Sequence, residues 1–123
     1  MEKVLIISGK EVKMKSTSGT GNRYREQFNR DFLTDLLDLK SKIDKGNDIS
    51  AQFDSIGLYE KMAWAMAKTA DDNIPDLSHW LDQFEMFAIV DVLPELNEMI
   101  SANLAQINSK KKMAEAKMEE KVE

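Results

Sequence analysis

Hydrophobic positions along this chain pass from an alternating to a helical period, and that change and the breaks after it mark out its elements. Over residues 3–15, Val4 and Ile6, then Val12 and Met14, alternate with other residues on either side of Ser8-Gly9. A period of two broken by a glycine-containing pair predicts a β-hairpin. A lone hairpin is marginal in water, so it must pack on other elements or pair with another chain. Residues 16–22, Ser-Thr-Ser-Gly-Thr-Gly-Asn, read as a turn-rich connector ending in a helix cap near Thr20 or Asn22.

From residue 23 the period becomes helical. Tyr24, Phe28, Phe32, Leu36, Leu39 and Ile43 recur at spacings of three and four, with Leu33 and Leu37 widening the stripe. One amphipathic helix is expected over residues 23–45, stopped by Gly46 and Asn47-Asp48. A second helix spans 55–70, where Leu58, Met62, Trp64, Ala65, Met66 and Ala67 leave little polar face. A helix apolar on most sides is central to its fold. Asp71-Asp72-Asn73-Ile74-Pro75-Asp76 breaks it.

Residues 77–107 hold one or two further helices. Ser78 or Asp76 is placed to cap the first, which carries Trp80, Leu81 and Phe84; a run through Met86, Phe87, Ile89, Val90 and Leu93 follows. Pro94 then demands a kink or a new helix with the proline in its first turn, because a proline inside a helix costs about 3 kcal/mol. Leu96, Ile100, Leu104 and Ile107 continue the stripe. Residues 109–123 are rich in Lys and Glu and have little to bury, so this end is expected to fray. The expected architecture is mainly α. About four helices and an N-terminal hairpin form one domain over 1–108, with a poorly ordered, charged C-terminal tail over 109–123.

Composition narrows the function more than the fold. The chain has 123 residues and no cysteine, which excludes disulfides and thiolate metal sites and favours a reducing interior. No apolar run approaches the roughly 18 residues of a membrane span. The net charge of −5 argues against nucleic acid as a partner. Its distribution says more. Residues 71–98 carry eight acids and no Lys or Arg, while the rest holds 14 acids against 17 bases. Asp71, Asp72, Asp76, Asp82 and Glu85 are thus either a solvated helix face or a patch that steers a basic partner.

Catalytic patterns are missing. The one histidine, His79, has Asp76 and Asp82 nearby, too few nitrogen or sulfur ligands for a transition-metal site. Gly19 and Gly21 are not followed by the Lys-Ser/Thr of a phosphate loop, and no Gly-x-Ser-x-Gly elbow occurs. No catalytic residue, metal or cofactor is expected. Large side chains at the apolar stripes, Trp64, Trp80, Phe84, Met86 and Phe87, are either core or the anchors of a binding groove.

Several short stretches resemble the tail assembly chaperones of siphophages and prophages of Gram-positive bacteria. They are Ile-Ser-Gly-Lys-Glu-Val-Lys-Met-Lys from Ile7, Gly-Thr-Gly-Asn-Arg-Tyr-Arg-Glu-Gln-Phe-Asn-Arg-Asp from Gly19, Trp-Ala-Met-Ala-Lys from Trp64, Ile-Pro-Asp from Ile74, Trp-Leu-Asp-Gln-Phe-Glu-Met-Phe from Trp80 and Val-Leu-Pro-Glu from Val92. The resemblance covers residues 3–107. It implies a non-catalytic protein of the host cytoplasm, absent from the finished virion, that binds the tape-measure protein and helps recruit tail-tube subunits. It also implies a longer form made by ribosomal frameshifting, for which an adenine run encoding Lys110-Lys111-Lys112 is a natural site. Two other readings fit the same residues. One is a structural tail component that self-associates through its hairpin; the other is a small regulator that binds a basic partner through residues 71–98.

Overall fold

The computed structural model describes residues 1–45 and 54–121. Strands β1 (Glu2–Ile7) and β2 (Lys10–Lys15) form the expected antiparallel hairpin. Ser8 and Gly9 both take positive φ, 52° and 77°, as a primed two-residue turn requires. The inward face differs from the expected one. Leu5 and Ile7 are buried with Val12 and Met14, while Val4 and Ile6 point outward and are 52% and 55% exposed. Leu5 stands opposite Val12, and Ile6 opposite Glu11. Val4-Leu5-Ile6-Ile7 is apolar on both faces, so alternation within β1 could not choose between them.

The expected connector at 16–22 is largely helix. Helix α1 (Ser18–Phe28) starts at Thr17, whose side chain forms a reciprocal capping box with Thr20. The expected single helix over 23–45 is two. Asn29 ends α1 with a left-handed φ of 53°, and α2 (Phe32–Lys45) begins after Asp31, whose carboxylate accepts from the Thr34 N–H and hydroxyl. The stripe of Phe28, Phe32, Leu36 and Leu39 runs across this break, which is why periodicity concealed it. Gly46 and Asn47-Asp48 lie outside the described residues.

An ionic cluster around the buried Asp35 holds the elbow. The Arg30 guanidinium donates to both oxygens of Asp35 at 2.7 and 2.8 Å, and the Tyr24 hydroxyl donates to the same carboxylate at 2.6 Å. Asp35 is only 3% exposed. These donors hold its pKa below the usual carboxylate value, led by the Arg30 hydrogen bonds; burial pushes the Tyr24 phenol up. Tyr24 also sits edge-on to Phe28 and Phe32.

Helix α3 (Ile56–Ala70) is the central rod, as its composition predicts: Tyr59 and every residue from Met62 to Ala67 are buried. Against it pack β2, α1, α2, the short helix α4 (Leu77–Leu81), a 3-10 turn (Ala88–Val92) and α5 (Leu93–Lys121). Asp76, rather than Ser78, caps α4 by accepting from the His79 N–H at 3.1 Å. Pro94 lies in the first turn of a new helix, where its missing N–H costs nothing. Leu96, Met99, Ile100 and Leu104 bury the first half of α5; residues 108–117 continue as helix with exposed side chains. Among the described residues no helix is long and apolar enough to cross a membrane.

The Asp35 cluster gives a pH-dependent prediction. A carboxylate with a depressed folded pKa stabilises the fold above its unfolded value, near 4, and loses that contribution as pH falls through the folded value. Asp35→Asn should lower unfolding stability at pH 7 by about 2 kcal/mol. In urea titrations the gap to the parent should narrow below pH ~4; a gap independent of pH would remove charge from the explanation.

Candidate functional site

The five large side chains singled out by sequence do not form one surface. Trp64 and Trp80 are core, 3% and 1% exposed. The Trp64 indole N–H donates to the Pro75 carbonyl at 2.7 Å and its ring packs edge-on to Phe28. The Trp80 ring packs edge-on to Phe84, with centroids 5.2 Å apart. Both tryptophans therefore drop out as docking anchors. Phe84 is half-buried and roots the next segment. Met86 and Phe87 are 85% and 65% exposed, which makes them the most exposed large apolar side chains of the described residues.

Local hydrogen bonding explains why these two side chains face water. After α4 the chain turns through Gln83 N–H to Trp80 carbonyl and Phe84 N–H to Leu81 carbonyl, burying Phe84. The hairpin turn then grips the segment. The Ser8 hydroxyl accepts from the Glu85 N–H at 3.0 Å, and the Lys10 ammonium donates to the Gln83 carbonyl at 3.1 Å. A four-residue turn follows, closed by Ala88 N–H to Glu85 carbonyl at 3.0 Å, with Met86 and Phe87 at its tip. Phe87 takes φ 62° and ψ 21°. That left-handed conformation suits Gly or Asn; a bulky aromatic there is an outlier and costs on the order of 1 kcal/mol. A strained and exposed phenylalanine is poorly explained by folding alone.

Two hollows flank this tip and share Met86 and Phe87 as a rim. One, of about 360 Å³, reaches inward to Glu60, Leu81 and Phe84. The other, of about 640 Å³, is bounded by Ile56, Val90 and Asp91. Sequence reading missed Ile56 and Glu60. Their signal was present: they stand one helical turn apart, and Glu60 is the only acid in α3.

The acidic segment is divided as well. Asp71, Asp72 and Asp76 are exposed but engaged. Asp71 accepts from the Asn73 N–H at 3.0 Å, Asp72 faces Arg23 at 3.5 Å, and Asp76 caps α4 while bonding the His79 ring. That bond raises the His79 pKa and lowers that of Asp76. Asp82, whose charge also adds to the rise at His79, and Glu85 line the smaller of the two Met86–Phe87 hollows. Among the described residues no three His, Asp or Glu side chains are grouped to hold a metal.

Two other apolar pairs face water: Val4 with Ile6 on the hairpin, and Leu33 with Leu37 on α2. Neither combines exposure with backbone strain and an adjoining hollow. Comparison of the chain with protein-family models, curated proteins and solved structures finds no match.

If Phe87 serves binding rather than folding, Phe87→Gly should keep thermal stability within about 1 kcal/mol of the parent or raise it. Trp80→Ala should lose about 3–5 kcal/mol. Comparable losses in the two variants would place Phe87 in the core.

Proposed function

We propose that this protein is a non-catalytic binding protein that shelters an apolar helical partner on the Met86–Phe87 tip. By the resemblance of its short motifs, it is a tail assembly chaperone acting in the bacterial host cytoplasm. Its client is then the tape-measure protein, with tail-tube subunits recruited to the complex. The observation that carries the reading is the pairing of exposure with strain at Phe87. Exposed apolar side chains held on a tethered turn offer contact area at small ordering cost. Phenylalanine and methionine suit a partner whose own apolar side chains vary along its length. The stretch from Trp80 to Phe87, one of those that carry the resemblance, supplies both the root of this segment and its exposed tip.

Helix-in-groove docking accounts for the arrangement. The hollows on either side of the tip give a client helix two places to insert side chains. A second reading, a structural tail component, draws on the outward Val4 and Ile6 of a sheet that has two strands among the described residues. Such a sheet can accept a further strand at its edges.

Co-expression with the tape-measure protein of the same phage tests the first reading. The parent should co-purify with it. Met86→Ser/Phe87→Ser should lose it while keeping the parent's circular dichroism. Retention by that variant, or presence of the protein in purified particles, would favour the structural reading.

A further inference from the structure

The two hollows beside Met86 and Phe87 have a one-sided charge. Glu60, Asp82 and Glu85 line one, Asp91 lines the other, and among the described residues no Lys, Arg or His lines either. Lys10 reaches this segment and donates to the Gln83 carbonyl; its charge offsets part of the acidity there, but it lines neither hollow. The contrast with the first half of the acidic segment is plain, since Asp72 and Asp76 there have Arg23 and His79 as partners. Glu60 is the sharpest case. It is partly buried, and no hydrogen bond or ion pair to its carboxylate is formed among the described residues. Burial raises its pKa, with no compensating charge. A carboxylate that has lost water without gaining a donor is stabilised by any cation brought to it.

We infer that the partner taken by this surface is a basic amphipathic helix, its apolar side on Met86, Phe87 and Ile56 and its Lys or Arg side chains directed to Glu60, Asp82, Glu85 and Asp91. The inference rests on the docking reading above and adds the partner's chemistry to it. Apolar contact supplies most of the affinity, and the carboxylates select the partner and speed its approach. An acidic helix is excluded, because its charges would face four of like sign. The chain's own basic helical end, Lys110-Lys111-Lys112-Met113, has related chemistry. A second copy is therefore the competing occupant.

The test uses the full chain and three labelled helical peptides of about 18 residues, five turns. All share one Leu/Met face; the opposite face is Lys, Gln or Glu. Anisotropy at low salt should show the Lys peptide binding about tenfold or more tighter than the Gln peptide, and the Glu peptide not at all. Added salt should erase the advantage. Glu60→Gln/Glu85→Gln should reduce the Lys peptide to the affinity of the Gln peptide, whereas Asp71→Asn/Asp72→Asn should not. Equal binding of Lys and Gln peptides, both lost in Met86→Ser/Phe87→Ser, would overturn the charge inference and leave docking intact. Binding of no peptide would remove the docking reading itself. Sedimentation showing a dimer that the Lys peptide dissociates, and that replacement of Lys110–Lys112 by Gln abolishes, would assign the surface to a second copy and overturn the inference.

Discussion

Tyr59 and the run from Met62 to Ala67 give α3 almost no face for water. A helix buried on so many sides must be surrounded, and most of the other described elements pack against it. The hairpin covers one flank with Leu5, Ile7, Val12 and Met14. Helix α1 covers another, its close approach eased by the alanines of α3. Trp80, the 3-10 turn and the first half of α5 close the remainder. The elbow at Asn29–Asp31 belongs to the same requirement. A straight helix over 23–45 would carry Leu36 and Leu39 away from the core, whereas the turn, fixed by Arg30, Asp35 and Tyr24, brings them back to it.

This enclosure limits where function can reside. Most of the surface of α3 is used up, so a docking site must come mainly from the segments that wrap it. The stretch from Asp82 to Phe87 is the best placed. It is rooted in the core by Phe84 against Trp80, and its backbone is held from outside by Ser8 and Lys10 of the hairpin. Its tip is consequently presented rather than loose. The hairpin thus has two duties: it buries one side of α3 and fixes the backbone behind Met86 and Phe87. Where α3 surfaces beside that tip, it contributes Ile56 and Glu60.

Much of this was legible in the residues, and the failures have definite causes. The all-round apolar pattern of 55–70 identified the central helix, and Pro94 was a sound marker of a new one. The hairpin was legible but its face was not, because β1 is apolar throughout. The turn at Ser8-Gly9 contained the missing information: a two-residue loop pairs Ile7 with Lys10, hence Leu5 with Val12. The break between α1 and α2 was hidden because its signals, Asn29 for a left-handed cap and Asp31-x-x-Thr34 for a new start, are weaker than an uninterrupted stripe. At the candidate site, apolar character could not separate Trp80 from Phe87. Only tertiary packing puts one at 1% exposure and the other at 65%.

The methionines offer a direct test of the central claim that a partner docks on the outside of a closed core. Met14, Met62, Met66 and Met99 are buried in it, while Met86 at the tip and Met113 at the basic helical end are exposed. Carbon-13 methyl spectra can follow each one as the proposed client, a tape-measure protein, is added. A large shift is expected at Met86, with Met62, Met66, Met99 and Met113 nearly unmoved. A shift at Met113 without one at Met86, or collective movement of the buried methyls as the helices part, would contradict that claim.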